Sequence, residues 1–182
     1  MNIPEIDSTS LVVVDLQTKL TAVMDNYSAV QERATLMLKG ANALELDVIV
    51  TEQYPAGLGP TVPEIAELLP PGCAPIAKTG FSVFAEPAFR IALKAKSKNC
   101  LIFLGIETHV CLLQSVYDAR KAGYEVIVCA DAVTSRSAAN RELALAEMRT
   151  AGAHVLPVES ILFLLLRDAK HPAFKTVSKL IR

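Results

Sequence analysis

The chain has 182 residues, 52% of them hydrophobic and 20% charged, with a formal net charge of −1. That length fits one domain spanning 1–182 with a large core, and the balanced charge offers no basic footprint for nucleic acid, no polybasic membrane signal and no acidic tail. The opening MNIPEIDSTS has neither the basic nor the apolar region of a leader, and no apolar run is long enough to cross a bilayer.

In chain order, LVVVDL (Leu11–Leu16) predicts the first strand. Val30, Ala34, Met37, Leu38, Ala41 and Leu44 then recur at helical spacing. DVIVT (Asp47–Thr51) is the second strand, and the Pro- and Gly-rich stretch 54–75 reads as an ordered loop with one short helix. APIAK (Ala74–Lys78) predicts a weak third strand and CLIFLG (Cys100–Gly105) a fourth. A helix continues from Cys111 through Val116 and Ala119 to Gly123. EVIVCA (Glu125–Ala130) is the fifth strand, followed by a helix around Leu143, Ala146 and Met148 that Gly152 closes, and AHVLPV (Ala153–Val158) is the sixth. ILFLLL at 161–166 suits a core helix or a subunit contact, and the polar tail suits a helical appendage.

The strand runs are continuously apolar rather than alternating, the mark of a parallel sheet covered on both faces. Alternation with helices predicts an open α/β sheet. Cys73, Cys100, Cys111 and Cys129 form no CxxC pair, and Cys100 and Cys129 sit within strand runs, so the usage is that of a reduced, cytoplasmic protein.

Ligands of open α/β sheets bind beyond the carboxyl ends of the strands. Those ends carry Asp15 and Gln17; Thr51, Glu52, Gln53 and Tyr54; Lys78, with Phe81 and Phe84 beyond it; GIETHVC, ending in Cys111; and Asp131. Each has a plainer role available: Asp15 as a turn or helix cap, Lys78 as a surface lysine, Cys111 as a core thiol. Together they form a set able to run covalent catalysis, with a thiolate favoured by a helix start, a carboxylate to move protons and an ammonium to stabilise charge. His109 lies two residues from Cys111, a spacing that does not share a helix face, so it lines a pocket or the surface rather than serving as the base. No HxxxH, CxxC or Asp-x-His spacing exists, so no metal is expected, and GxGxxG and P-loop patterns are absent too.

VVVDLQ around Asp15, AKTGFSVF around Lys78, LGIETHVC ending in Cys111 and GYEVIVCADAVTSR resemble, in order, the isochorismatase-like cysteine hydrolases. TEQYPAGLGPTVPEI and HPAFKTVSKLI are similar to the isochorismatase-domain-containing subgroup. The resemblance implies a three-layer αβα fold with a mostly parallel six-stranded sheet in order 3-2-1-4-5-6. It also implies a catalytic set of Cys111 as nucleophile, Asp15 as proton acceptor and Lys78 holding Asp15. A non-proline cis peptide at Ile106–Glu107 is implied as well, turning the amides of Glu107 and Cys111 toward a developing oxyanion.

Two departures bear on the substrate. Nicotinamidase-type members bind a metal after the second strand, where this chain reads TEQY, so neither metal nor cofactor is expected. The residue after the cis bond is often small in amidase members, and here it is Glu107, which either narrows the pocket, selects a basic group or bonds to nearby backbone or to the TEQ residues. The reading is a metal-independent hydrolase of a C–N bond in a small molecule, through a thioester on Cys111. Gln17, Tyr54, Phe81, Phe84, Glu107, Thr108 and His109 are the pocket candidates, and a homo-oligomer is expected. The alternatives are a non-catalytic scaffold on the same fold and an isochorismatase-type vinyl ether hydrolase.

Overall fold

The computed structural model describes residues 4–182. Six strands form one parallel sheet in the order β3-β2-β1-β4-β5-β6. They are β1 (Thr9–Val14), β2 (Asp47–Gln53), β3 (Ile76–Lys78), β4 (Cys100–Ile106), β5 (Glu125–Thr134) and β6 (His154–Leu156). The intervening helices are α1 (Thr18–Thr21), α2 (Tyr27–Ala43), α3 (Pro55–Leu58), α4 (Pro63–Ala66), α5 (Pro87–Ala95), α6 (Leu113–Lys121), α7 (Ala138–Thr150), α8 (Val158–Leu166) and α9 (Phe174–Leu180).

The strands are apolar throughout because each face has its own cover. Leu11 and Val13 point to a core shared with α2, α8 and α9, while Val12 and Val14 point to one shared with α5, α6 and α7. Every residue of β1 and β4 is buried, and each fully enclosed Leu, Ile or Phe contributes about 1.5–3 kcal/mol. On α2, Val30, Ala34, Met37, Leu38 and Ala41 form the buried stripe. Gly40 lies so close under α8 that a β-carbon there would stand 2.4 Å from Leu162. The run ILFLLL is therefore divided: Ile161, Leu162, Leu165 and Leu166 are core and Phe163 is exposed.

Several strands depart from the sequence expectation: β1 ends at Val14 rather than Leu16, and β6 ends at Leu156 because Val158 opens α8. β3 begins only at Ile76, its first residue paired with β2; Ala74 and Pro75 lie in the irregular segment before it. β5 runs past Ala130 to Thr134, its pairing with β4 jumping from Phe103–Val128 to Gly105–Val133. Asp131 thus lies inside the bulged strand and not at its tip. Its Oδ1 accepts from the Val158 amide at 2.9 Å, at the amino end of α8.

Candidate functional site

β1 stops being a strand at Asp15, whose φ of +53° turns the chain out of the sheet. Its amide still donates to Thr51 O at 3.1 Å, so the turn begins one residue past the last β1–β2 pair, Val14–Thr51. The carboxylate is left beneath the surface, with Oδ1 accepting from Thr51 Oγ1 at 2.8 Å. On the other side β1 meets β4 with no gap. Gly105, paired with Val14, has φ +123°, and a β-carbon there would lie 2.0 Å from Val14 O.

Lys78 ends β3, two strands away, and its side chain reaches back under β2 to Asp15. Nζ stands 2.7 Å from Asp15 Oδ2, an ion pair with both side chains fully enclosed, at angles outside those of a regular hydrogen bond. Nζ also donates to Gln53 Oε1 at 2.6 Å, Phe81 O at 3.1 Å, Gly80 O at 3.3 Å and Cys111 Sγ at 3.6 Å. An ammonium has three N–H groups, so these acceptors share them. Lys78 is no surface lysine.

Cys111 reaches the same point from β4. The Ile106–Glu107 peptide is cis, and Thr108–Leu112 form a π turn ahead of α6. Ser115 Oγ donates to Cys111 O at 2.6 Å and accepts from the Val83 amide at 3.0 Å, tying the turn to the segment after β3. Three strand tips distant in sequence thus deliver a carboxylate, an ammonium and a thiol to one buried cluster.

Burial governs the charges there. It pushes the Cys111 thiol up to about 12, Asp15 adds to the rise and Lys78 opposes it. Burial likewise raises the Asp15 carboxyl above its ordinary range, outweighing Lys78 and the bond from Thr51. The sequence reading anticipates a thiolate favoured by a helix start. In the enclosed site desolvation and the Asp15 charge outweigh Lys78, so the thiol is raised.

The remaining candidates divide. Glu107 Oε2 accepts from the Arg136 amide at 3.0 Å and from Arg136 Nε at 3.1 Å. Its basic partner is supplied by the chain itself, at the end of β5. Thr108 Oγ1 donates to Thr134 O at 2.9 Å, and His109 Nδ1 lies 2.9 Å from Ser135 Oγ. Both fasten the π turn to β5. Gln17 is fully buried, with both ends of its amide bonded to backbone, so it braces the site instead of lining a pocket. Phe84 packs edge-on against Phe89, with ring centroids 5.2 Å apart, as part of the core on that face. Tyr54 and Phe81 are the exposed aromatics of the original set.

Sequence reasoning gave no role to Ser115 or Arg136. Gln53 and Thr51 were visible only as a polar tip, and their partners follow from strand register. Among the described residues no group of three or more His, Cys, Asp or Glu is placed to hold a metal, and no helix is long and apolar enough to cross a membrane.

A model of the isochorismatase domain matches residues 9–160. The chain belongs to the isochorismatase family. Over 177 residues it is 40% identical to isochorismatase domain-containing protein 2A of Mus musculus, covering 97% of this chain and 84% of that one. Among solved structures, the MAR1 ribonuclease of Caenorhabditis elegans matches with a TM-score of 0.93 at 37% identity, covering 98% of this chain and 91% of the other. YcaC from Pseudomonas aeruginosa, solved with hexane-2,5-diol and covalent acrylamide, matches with a TM-score of 0.92 at 26% identity over 98% of this chain and 91% of the other. Family and fold together make this chain an isochorismatase-family hydrolase of the domain-containing subgroup.

Proposed function

We propose that this chain, acting as one domain, is a metal-independent cysteine hydrolase that cleaves a C–N amide-type bond of a small molecule. The observation that carries the reading is the buried cluster itself, with Lys78 Nζ 2.7 Å from Asp15 Oδ2 and 3.6 Å from Cys111 Sγ. Asp15, raised by burial, is a carboxylate eager for a proton, and Cys111 is a thiol that needs to lose one. Asp15 takes the Sγ proton as sulfur attacks the substrate carbonyl. The amides of Glu107 and Cys111 receive the oxyanion. Collapse breaks the C–N bond, the amine leaves with the proton from Asp15, and a thioester remains. Asp15 then takes a proton from water, hydroxide attacks the thioester carbonyl, and collapse expels Sγ, which takes the proton back from Asp15 as the acid product departs. Lys78 stays charged throughout and steadies the developing anions.

Acrylamide is an electrophile that thiols attack, so its covalent presence in the related YcaC structure agrees with a nucleophile on this scaffold. Cys111 is the candidate here. A second reading has its own observation, since the Caenorhabditis elegans relative is called a ribonuclease. The enclosed cluster and a net charge of −1 favour a small molecule over a polyanion, which binds through many phosphate contacts.

One experiment separates these readings. Purified protein and its Cys111→Ala variant are offered a panel of small amides and, in parallel, a structured RNA. The expected result is turnover of an amide that falls at least about a thousandfold in the variant, with a thioester trapped on Cys111 by acid quench and seen by intact mass. RNA cleavage that survives Cys111→Ala, with no amide turned over, overturns the proposal.

A further inference from the structure

β1 and β2 pair as far as Val14 and Thr51, and then Asp15 turns away. This leaves the next stretch of β2 without a neighbour on that side, and the side chain of Gln17 takes the empty place. Gln17 Oε1 accepts from the Gln53 amide at 2.7 Å, and Gln17 Nε2 donates to Gln53 O at 3.0 Å and to Gly59 O at 2.6 Å. A side-chain amide thus grips both backbone groups of Gln53 as a paired strand would. The Gln53 side chain then continues the line. Its Nε2 donates to Thr79 O at 2.7 Å, which fixes which way the amide faces and presents Oε1 to Lys78 Nζ at 2.6 Å.

We propose that Gln53 is a positioning residue, aiming the Lys78 ammonium between Asp15 and Cys111, and that Gln17 holds it in place. The inference rests on the cysteine-hydrolase reading above and adds to it a requirement on a side chain that does not touch the reacting sulfur. Its physical content is a competition. Lys78 has three N–H groups and five acceptors within reach, and Gln53 Oε1 is the nearest of them. Nζ already touches Asp15 Oδ2 at 2.7 Å, so what Gln53 Oε1 settles is the direction of the other N–H groups: one is committed to β2, which leaves another toward Sγ. Without that acceptor, the N–H groups are free to turn to the carboxylate and away from Sγ. The charged and titratable groups facing this point are Asp15 from β1, Lys78 from β3 and Cys111 from the π turn. Glu52, beside Gln53 in β2, is occupied elsewhere, its Oε1 accepting from the amide and the hydroxyl of Thr61.

The test uses the full chain and acrylamide as the probe, following the labelling rate of Cys111 by peptide mass between pH 6 and 10. Lys78 favours the thiolate, so Lys78→Met slows labelling and moves the profile to higher pH. Gln53→Met is expected to move it in the same direction, with labelling at pH 8 about fivefold slower, the scale of one hydrogen bond to a charged group. In a Lys78→Met background, Gln53→Met is expected to have no further effect, because its influence passes through the ammonium. Gln53→Glu keeps the reach and shape, neutralises Lys78 and slows labelling more than Gln53→Met does; it decides the matter if the methionine variant does not fold. Wild-type labelling in Gln53→Glu, a Gln53→Met profile superposing on wild type, or an equal slowing with and without Lys78 overturns the proposal. If Lys78→Met itself leaves the profile unmoved, the reading of the site falls and this inference with it. If Lys78→Met moves the profile and Gln53→Met does not, only this inference falls.

Discussion

Asp47 opens β2 at the amino end of the sheet and pairs with Lys96 and with Lys98, the latter at 2.7 Å; Asp15 follows β1 at the carboxyl end and pairs with Lys78 at the same 2.7 Å. The same chemical pair at the same separation has opposite consequences. At Asp47, about a third exposed, burial pulls the carboxyl up, but the bonds and charges of two lysines outweigh it and hold it below its ordinary value. At Asp15, fully enclosed, burial wins against one lysine and the carboxyl rises. Distance does not decide what an ion pair does; the solvent removed from it does. A cavity of about 680 Å³ lies at the amino end, where its lining includes Asp47, Cys73 and Lys96.

The sharpest way to break this contrast is to remove one partner from each pair. Lys78→Met strands a buried carboxylate and is expected to cost about 3–5 kcal/mol in urea unfolding. Asp47→Ala, at the water-exposed pair, is expected to cost less than about 1 kcal/mol. Equal losses at the two ends would end the distinction.

A smaller effect separates the parts of the enclosed site. Asp15 raises Cys111 through its charge. In Asp15→Asn the thiol, now at about 12, is expected to titrate at least about one unit lower, worth about 1.4 kcal/mol between its two protonation states. Thiolate absorbance, taken as a difference against Cys111→Ala, reads it directly. On the proposed mechanism hydrolysis is expected to fall in the same variant, which lacks the proposed proton acceptor. A thiol that titrates higher in Asp15→Asn would show that the carboxylate does not act on it.

The smallest effect lies in acid. Asp47 has its folded value below the unfolded 3.8, so its contribution is present above that pH and is lost as pH falls through the folded value. Asp15 has its folded value above 3.8, so its contribution is largest below 3.8 and is lost as pH rises through the folded value. Between pH 3 and 6, Asp47→Asn is therefore expected to flatten the acid loss of stability and Asp15→Asn to steepen it. Denaturation at a few pH values in that window checks both signs.

The sheet was legible because continuous apolar runs have few other uses, and charged residues at the ends of such runs mark where the runs leave the core. Asp15, Lys78 and Cys111 were legible for that reason, with family resemblance supplying their roles. Asp131 misled because VIVCAD reads as a strand that ends on its acid, whereas a bulge carries β5 further and leaves Asp131 at the amino end of α8. Gln53 was hidden because its importance lies in register: it pairs with Lys78 across β2–β3 and meets Gln17 only where β1 has turned away. Glu107 was read as facing outward to a ligand or inward to backbone. It does accept from backbone, the Arg136 amide, and the Arg136 side chain adds an ion pair that carries no local signal in the sequence.

Gly105 sets a limit on how this scaffold can change. Its missing side chain lets β4 touch the backbone of β1 directly behind the reactive cluster, with no slack for even one carbon atom. The floor of the site is therefore a fixed reference surface. In this chain the rim offers Tyr54, Phe81 and Arg136, all more than half exposed and none committed to the core. Diversification of substrate within such a scaffold is a matter of furnishing the entrance while the foundation stays as it is.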